Sequence, residues 1–352
     1  MRIATYNVEW FNSLFDDAGT PLEDGGWSSR RDVTRAQQLT ALGIVFTAMD
    51  ADAVMVIEAP DQNSRRQTVP ALEAFAAKFD LRARKAVIGF ANDTQQEIAL
   101  LYDPDVLQAR HDPQGDETGK KGSQGAPRFD GVFRIDLDVD ATEDLVRFSK
   151  PPLELALETA AGFQFRMIGA HLKSKAPHGA RGRDAVMRAS IANRRKQLAQ
   201  AIWLRQRVEN HLAAGTPLMV LGDLNDGPGL DEYEDLFGRS SVEIVLGQQA
   251  SPAGGAVQTP PAMRLYDPHA TAALRNRWAQ STTSRFYIAE EKRYLQALLD
   301  YIMISPDLRG RSPEWRIWHP FEDQACFGRP ELREALLTAS DHFPVVLDID
   351  LP

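Results

Sequence analysis

Residues 53–58, Ala53-Val54-Met55-Val56-Ile57-Glu58, place five apolar side chains directly before one carboxylate. An unbroken apolar run of this length is typical of a strand buried on both faces, as in an α/β sheet. A charged residue at the C-terminal end of such a strand lies at the rim of the sheet, where open α/β folds place their binding sites. The stretch therefore predicts an α/β fold with a polar site at one sheet edge.

Similar polar patches at predicted strand ends occur five more times along the chain. They are Thr5-Tyr6-Asn7, Gly169-Ala170-His171, Leu221-Gly222-Asp223-Leu224-Asn225, Leu299-Asp300-Tyr301 and Ser340-Asp341-His342. If these groups share one site, both halves of the chain build it, so we predict a single domain over residues 1–352. Oxygen ligands and histidines that converge at one edge suit the binding of a hard cation and a phosphate.

The composition limits the classes of function. The chain has 352 residues and a formal net charge of −9, which argues against a broad, nonspecific grip on polyanions, although a metal site and a local basic patch can overcome it. The single Cys326 excludes an intrachain disulfide framework and suits a reducing compartment. The chain begins at once with a predicted strand and has no apolar run of signal-peptide or membrane-spanning length, so we expect a cytoplasmic protein without stable membrane association.

Periodicity predicts the main elements between these patches. Helices are expected over residues 33–49, 184–212 and 232–237, and a hairpin over residues 153–158 and 163–171. A strand is expected over residues 131–139. Three polar or ill-defined stretches read as loop insertions, near residues 12–31, 111–128 and 245–291, the second of them as a mobile surface loop.

Asn7 and Glu58 carry oxygen ligands of the kind that Mg²⁺ or Mn²⁺ prefers. Magnesium takes near-octahedral oxygen ligation, keeps several waters, and is commonly held by one or two carboxylates plus a substrate phosphate. Glu58 follows five apolar residues, and a carboxylate there needs a partner or an ion. Asn7 on its own also fits an Asx turn at a strand end.

Asp223 and Asn225 lie two residues apart, so in extended backbone both side chains point to the same side. One interpretation is a tight turn, favoured by the following Gly227-Pro228-Gly229. In the other, Asp223 orients or deprotonates a water and Asn225 binds a phosphate oxygen. The spacing is compatible with both interpretations.

Two histidines are candidates for proton transfer. Asp300 could pair with one ring nitrogen of His342, which would fix its tautomer and raise its basicity. Ser340-Asp341 also fits a simple turn cap before the last strand. His171 follows an apolar run and offers a general acid for the leaving oxygen, which otherwise departs as a poor alkoxide.

Two stretches could contact a polyanion. The first runs from His171 to Lys196 and contains Lys173, Lys175 and Arg181; a solvated helix face explains part of its charge, and contact with phosphates is the other interpretation. The second, from Arg275 to Tyr294, interleaves cations with aromatic residues. Its aromatic side chains could stack on bases or simply pack in the core.

Taken in order, the six patches resemble the endonuclease/exonuclease/phosphatase superfamily, also called the deoxyribonuclease-I-like fold, over nearly the whole chain, and are similar to its bacterial nuclease-like branch. The resemblance implies a four-layer α/β sandwich of two packed mixed β-sheets flanked by helices. It implies that the metal is held by Asn7, Glu58 and Asp341. It implies that Asp223 and Asn225 handle the attacking water and the phosphate. It also implies that His342 contacts the scissile phosphate, with Asp300 as its carboxylate partner. His171 matches a histidine that such proteins pair with a glutamate on a neighbouring strand, and Glu97 is similar to that glutamate.

Two departures bear on the substrate. Pro60 stands where the deoxyribonuclease has an arginine that reaches DNA, and Asp226-Gly227 replaces the aromatic and arginine usual in inositol phosphatases. These departures concern the substrate more than the reaction. From the resemblance and the site residues we expect a Mg²⁺- or Mn²⁺-dependent phosphodiesterase that acts as a nuclease on DNA or RNA. The alternatives are a phosphomonoesterase or a sphingomyelinase-like phospholipid phosphodiesterase on the same scaffold, and a catalytically silent binding module.

Overall fold

Two mixed β-sheets form the centre of the structure, a computed structural model that describes residues 1–92, 96–137, 143–177, 179–227, 238–248, 259–276, 281–288 and 292–352. The first sheet has six strands in the order β14 (Glu314–Ile317), β15 (Val345–Asp348), β1 (Arg2–Asn7), β2 (Ala53–Ala59), β4 (Glu97–Tyr102) and β3 (Lys85–Ile88). The second has five in the order β13 (Asp300–Ile304), β10 (Leu218–Asp223), β9 (Gln164–His171), β8 (Leu153–Thr159) and β5 (Leu107–His111). Two small hairpins add β6 (Phe133–Ile135) with β7 (Asp144–Val146) and β11 (Ser284–Ile288) with β12 (Arg293–Ala297).

Helices cover the outer face of each sheet. The described α-helices are α1 (Arg35–Met49), α2 (Thr68–Lys78), α3 (Arg183–Ala213), α4 (Ser241–Leu246), α5 (Pro268–Arg275), α6 (Gln324–Phe327) and α7 (Pro330–Ala339). Side chains of α1, α2 and α7 form one apolar core with the outer face of the first sheet. Those of α3, α4 and α5 join the core that also fills the space between the sheets. The result is the predicted four-layer α/β sandwich.

Each sheet contains one pair of parallel strands whose C-terminal ends lie side by side. Strands β1 and β2 are parallel, with α1 between them in sequence, and Asn7 lies opposite Ile57. Strands β9 and β10 are parallel, with α3 between them, and His171 lies opposite Asp223. Such connections place the carboxyl ends of both strands at the same edge. The sheet registers therefore bring the polar strand ends together.

The two sheets approach closely at Gly169. A Cβ atom at this position would overlap Met55 of the first sheet and would lie 3.0 Å from Cγ2 of Ile98. Glycine is required here because neighbouring side chains occupy the space that a larger residue would need. This contact lies two residues before His171, so it sets the sheet separation near the strand ends.

Most predicted elements are confirmed, with differences at their ends. The helices predicted over residues 33–49 and 184–212 correspond to α1 and α3, and the predicted hairpin is β8 with β9. The strand predicted over residues 131–139 is only β6 in the described part of that range. The helix predicted over residues 232–237 lies outside the described residues. Across the described ranges, each helix falls short of the length or the apolar character needed to cross a bilayer.

Candidate active site

The level strand ends open into a cavity of about 660 Å³ between the two sheets. Eight of the predicted site residues line it: Asn7, Glu58, His171, Lys173, Asp223, Asn225, Asp341 and His342. Residues from both halves of the sequence thus meet in one place. The interpretation of these patches as isolated turns does not account for this convergence.

His342 and Asp300 form the predicted pair. Nδ1 of His342 lies 2.7 Å from Oδ2 of Asp300, and the same oxygen accepts a hydrogen bond from the hydroxyl of Thr283 at 2.8 Å. Burial alone would lower the pKa of His342, but the Asp300 carboxylate outweighs it and holds the pKa well above its ordinary value. The pair therefore favours the imidazolium form of His342, whose Nε2 lies 3.9 Å from Oδ1 of Asp341 at the cavity.

Asp223 lies at the centre of the cavity and links the two sheets. Its Oδ2 accepts hydrogen bonds from Nδ2 of Asn7 at 3.0 Å and from Nδ2 of Asn225 at 3.2 Å. Burial, and then the negative charge of Asp300, raise the pKa of Asp223 to about 7. A carboxyl group with a pKa in this range is suited to general base catalysis near neutral pH.

Asn225 differs in part from its prediction. Its Nδ2 also donates to the carbonyl oxygen of Leu172 at 3.0 Å, so both amide hydrogens are engaged within the protein. Its φ of 50° lies in the left-handed region, which Asn tolerates better than most residues. Asn225 holds Asp223 in this state, and its contact with a phosphate oxygen stays a prediction that requires one of these bonds to break.

The predicted metal ligands present oxygen atoms to the same cavity. Oδ1 of Asn7 is buried without a hydrogen-bond partner among the described residues. Glu58 has a φ of 63°, at the point where the pairing of β2 with β4 shifts by one residue. This irregularity directs the carboxylate to the rim, where Oε2 accepts from the backbone N–H of Trp10 at 3.1 Å and from Nε2 of Gln96 at 2.6 Å.

These donors fit a hard divalent cation. An orphaned amide oxygen on Asn7 and the carboxylates of Glu58 and Asp341 are the ligand types that Mg²⁺ or Mn²⁺ takes. Asp223, Asp300 and His342 also bring three potential ligand atoms within 4.8 Å of one another. Nδ1 of His342 already occupies Oδ2 of Asp300 at 2.7 Å, so the first group is the better fit for a cation.

The partner of His171 differs from the prediction. Glu97 accepts hydrogen bonds from the backbone of Gln62 at 3.2 Å and from Nδ2 of Asn92 at 2.7 Å, so it anchors two loops. Within the described residues it is Lys150, not Glu97, that contacts His171, with Nζ 3.2 Å from Nδ1. The proposed pairing of His171 with Glu97 is therefore wrong in this structure, because β4 turns the glutamate toward the loops.

The predicted phosphate-binding cations separate into different environments. Lys173 faces the cavity, whereas Nζ of Lys175 donates to the buried Asp226 at 2.8 Å. Arg181 is exposed and does not line the cavity. A phosphate contact by Lys175 is thus contradicted by its ion pair, and a contact by Arg181 stays a prediction.

Sequence reasoning missed several cavity residues, of which Glu9, Gln96 and Lys150 contact the predicted site residues or carry charge. Burial, and then the charge of Asp341, raise the pKa of Glu9 to about 7, and its carboxylate also pairs with Arg30. Gln96 bonds both Glu58 and Lys150. Each lies beside a predicted patch or in a turn, and no apolar run marks it in the sequence.

Comparison with known proteins identifies the family. No curated protein matches the chain. Similar solved structures include TDP2 from Caenorhabditis elegans (14% identity, TM-score 0.49, covering 100% of this chain and 74% of that chain), the human Nocturnin catalytic domain (14%, 0.46, 100% and 94%) and a mannosyl-6-phosphatase from Bacteroides thetaiotaomicron (14%, 0.46, 100% and 100%). The profile of the Endonuclease/Exonuclease/phosphatase family matches residues 4–342. The chain belongs to this family, whose members are phosphoesterase hydrolases.

Proposed function

We propose that the protein is a Mg²⁺- or Mn²⁺-dependent phosphodiesterase that cleaves DNA or RNA by in-line attack of water. One observation carries the proposal: the His342–Asp300 pair, the buried Asp223 carboxyl group and the unpartnered Oδ1 of Asn7 beside the Glu58 carboxylate meet at one cavity. These are the groups that a phosphodiester needs for charge neutralisation, water activation and departure of the leaving oxygen.

Asn7, Glu58 and Asp341 would hold the cation. When bound, it supplies positive charge that offsets the negative charge building on the phosphate oxygens in the transition state. His342 adds a second positive group, because its Nε2–H can donate to a phosphate oxygen while Asp300 fixes the ring through Nδ1. Lys173 adds a third positive charge at the cavity wall.

Asp223 is the proposed base. Its carboxylate accepts the proton of the attacking water, and the amides of Asn7 and Asn225 keep it oriented. His171 is the proposed proton donor to the leaving oxygen from Nε2. Burial, and then the charge of Lys150, hold the pKa of His171 well below its ordinary value, so the ring is neutral. As Nε2 gives its proton to the leaving oxygen, Nδ1 would take one from the Lys150 ammonium in the same step, so the ring stays neutral and Lys150 becomes a neutral amine.

Cleavage of supercoiled plasmid tests the proposal. Purified protein with Mg²⁺ should nick the plasmid, whereas EDTA or the substitution His342→Ala should abolish nicking. An intact plasmid with all three preparations would overturn the nuclease assignment. Phosphomonoesters, phospholipids and activated diesters, assayed with the same controls, would then identify the phosphoester class.

Metal affinity separates an enzyme from a silent binding module. Glu58→Ala should weaken Mn²⁺ binding at least tenfold by calorimetry, since a carboxylate ligand is removed. Glu331→Ala, which removes an exposed carboxylate on α7, is the matched control and should leave the affinity unchanged. Equal Mn²⁺ affinities in the wild-type protein and both variants would place the cation elsewhere and favour the silent binding module.

A further inference from the structure

We infer that Lys173 and Lys196, together with the groove between α3 and the β6–β7 hairpin, form a second anion site that binds the phosphate backbone of a nucleic acid strand beside the scissile phosphate. The inference rests on the proposed function and deepens it, because it names an extended polynucleotide rather than a single phosphate group as the substrate. Neither the family match nor the catalytic geometry requires such a site.

The first observation is an excess of positive charge. Lys150, Lys173 and Lys196 are half-buried and form no ion pair with a carboxylate in the described part of the chain, whereas the buried Arg194 and Arg207 do. Among the described residues, Nζ of Lys196 donates to the hydroxyl of Ser149 alone, at 3.3 Å. Burial lowers the pKa of Lys173, and burial followed by the charge of Lys173 lowers that of Lys196. A bound anion would relieve this desolvation and repulsion.

The second observation is continuity with the catalytic cavity. Lys173 lies two residues after His171 and lines the cavity with Ser149 and Lys150. Lys196, bonded to Ser149, lines a neighbouring groove of about 670 Å³. Lys173 and Lys196 therefore lead from the cavity into this groove by way of Ser149.

The third observation is the character of the groove. Helix α3 and the hairpin line the groove with four cations, three of the aliphatic side chains and one carboxylate: Arg147, Arg188, Arg195 and Lys196, with Leu137, Leu145 and Ile191, and with Asp144. Arg195 is paired with Asp144, and Leu145 is 56% exposed. A polynucleotide repeats its phosphates and presents apolar sugar and base faces between them, so both kinds of side chain find partners. A phosphomonoester or a lipid headgroup offers no such repeat.

Strand binding can be measured without catalysis. Fluorescence anisotropy in EDTA with labelled single-stranded 12-mers of DNA and of RNA should show that Lys196→Ala weakens binding about tenfold. The slope of log affinity against log salt should decrease by about 0.7, the value for one phosphate contact on a single strand. Lys196→Arg should retain most of the affinity. Lys121→Ala removes an exposed lysine that does not line the groove and controls for net charge.

Catalysis gives the second readout. With Mg²⁺, Lys196→Ala should raise KM for the 12-mer about tenfold more than it raises KM for a dinucleotide or for bis(4-nitrophenyl) phosphate. Equal losses on all substrates, or 12-mer affinity unchanged by Lys196→Ala, would overturn the second site. Lysine-dependent binding without cleavage by the wild-type protein would instead overturn the proposed nuclease and leave the strand-binding site standing.

Discussion

Lys150 determines the hydrogen-bonding state of His171. An ammonium group only donates, so Nδ1 of His171, 3.2 Å from Nζ of Lys150, must accept. The neutral ring then carries its hydrogen on Nε2, which lies 3.6 Å from Oδ2 of Asp223 and faces the cavity. In the proposed mechanism this neutral ring passes a proton from Lys150 at Nδ1 to the leaving oxygen at Nε2 in one step.

Removal of His171 should affect substrates according to their leaving group. His171→Ala should slow cleavage of an oligonucleotide by about 10²-fold or more, because its alkoxide leaves poorly without a proton, yet slow an activated aryl diester far less. Steady-state kcat on both substrates measures the difference. Equal losses would remove the proposed role as general acid.

Lys150→Met should show the same substrate preference, with a smaller loss, since it acts through His171. The expected loss on the oligonucleotide is about tenfold or more, within the lower range for proton-transfer effects. Lys121→Met is the control for loss of a lysine. If Lys150→Met harmed the aryl diester as strongly as the oligonucleotide, Lys150 would serve the cavity structure alone.

The ionisation of Asp223 should determine how kcat/KM falls at acidic pH. Asp223 must be ionised to accept a proton, and its pKa in the free protein is about 7, so kcat/KM should fall about tenfold per pH unit below that value. A cation nearby favours the ionised form, so saturating Mg²⁺ should move this fall to lower pH than limiting Mg²⁺. A profile that is flat from about pH 5 to pH 8 at both concentrations would contradict this assignment.

The sequence predicts which residues lie at the ends of strands. It predicts less well which side chains contact one another. Glu58 and Asp223 follow apolar runs, so their position at a sheet rim was predictable, and the structure places both in the cavity. Lys150 lies in the turn before β8 and reaches His171 only through the hairpin. Lys175 shows the opposite error, because residue type alone does not distinguish a substrate-facing lysine from one paired with Asp226.

At the scale of elements, Asp226 joins the loop after β10 to α3. Its carboxylate accepts from Lys175 at 2.8 Å, and it contacts Arg194 of α3 and the backbone N–H of Ser241. Burial opposes ionisation, but Lys175 and Arg194 outweigh it and lower the pKa of Asp226 in the folded protein. The loop that carries Asn225 is thus held by a buried ionic network.

Asp226→Asn should reduce the free energy of unfolding by about 3–5 kcal/mol at pH 7, the usual cost of breaking a buried ion pair. The folded pKa lies below the unfolded value of about 3.9, so this stabilisation is present above that pH and is lost as the pH falls through the folded pKa. Urea unfolding at pH 7 and at about pH 3 should show the difference shrinking in acid. Asp80→Asn, at an exposed site, is the control; a difference of the same size at both pH values would contradict the ionic explanation.

Regular elements were predictable, but the anchoring of loops was not. Helices α1 and α3 follow from their sequence patterns, whereas residues 111–128 were expected to form only a surface loop. The structure ties this segment to α3, where Nε1 of Trp203 donates to Pro127 O at 2.8 Å and Arg207 donates to Ala126 O at 2.9 Å. The acceptors are backbone carbonyls, which every residue carries, so composition contains no sign of the contact.

At the scale of the whole molecule, the site exists only where the two sheets meet. The first sheet supplies Asn7 and Glu58, and the second supplies His171 and Asp223. The 3.0 Å hydrogen bond from Asn7 to Asp223 joins them. Strand patterns predict each sheet separately, but the distance between the sheets depends on the side chains packed between them. Only the resemblance to a known fold could suggest this packing in advance.

Gly169→Ala should therefore impair catalysis by separating the sheets. The added Cβ would meet Met55 and Ile98, so we expect the free energy of unfolding to fall by about 1–3 kcal/mol. We also expect a lower kcat, measured at a temperature well below the melting temperature of the variant, because the Asn7 to Asp223 contact lengthens. Gly310→Ala, where a Cβ meets nothing within 4 Å, is the control. Met55→Ala makes room on the opposite sheet, so the double variant should regain activity relative to Gly169→Ala. Failure of this rescue, with both proteins folded, would show that sheet separation does not set the geometry of the site.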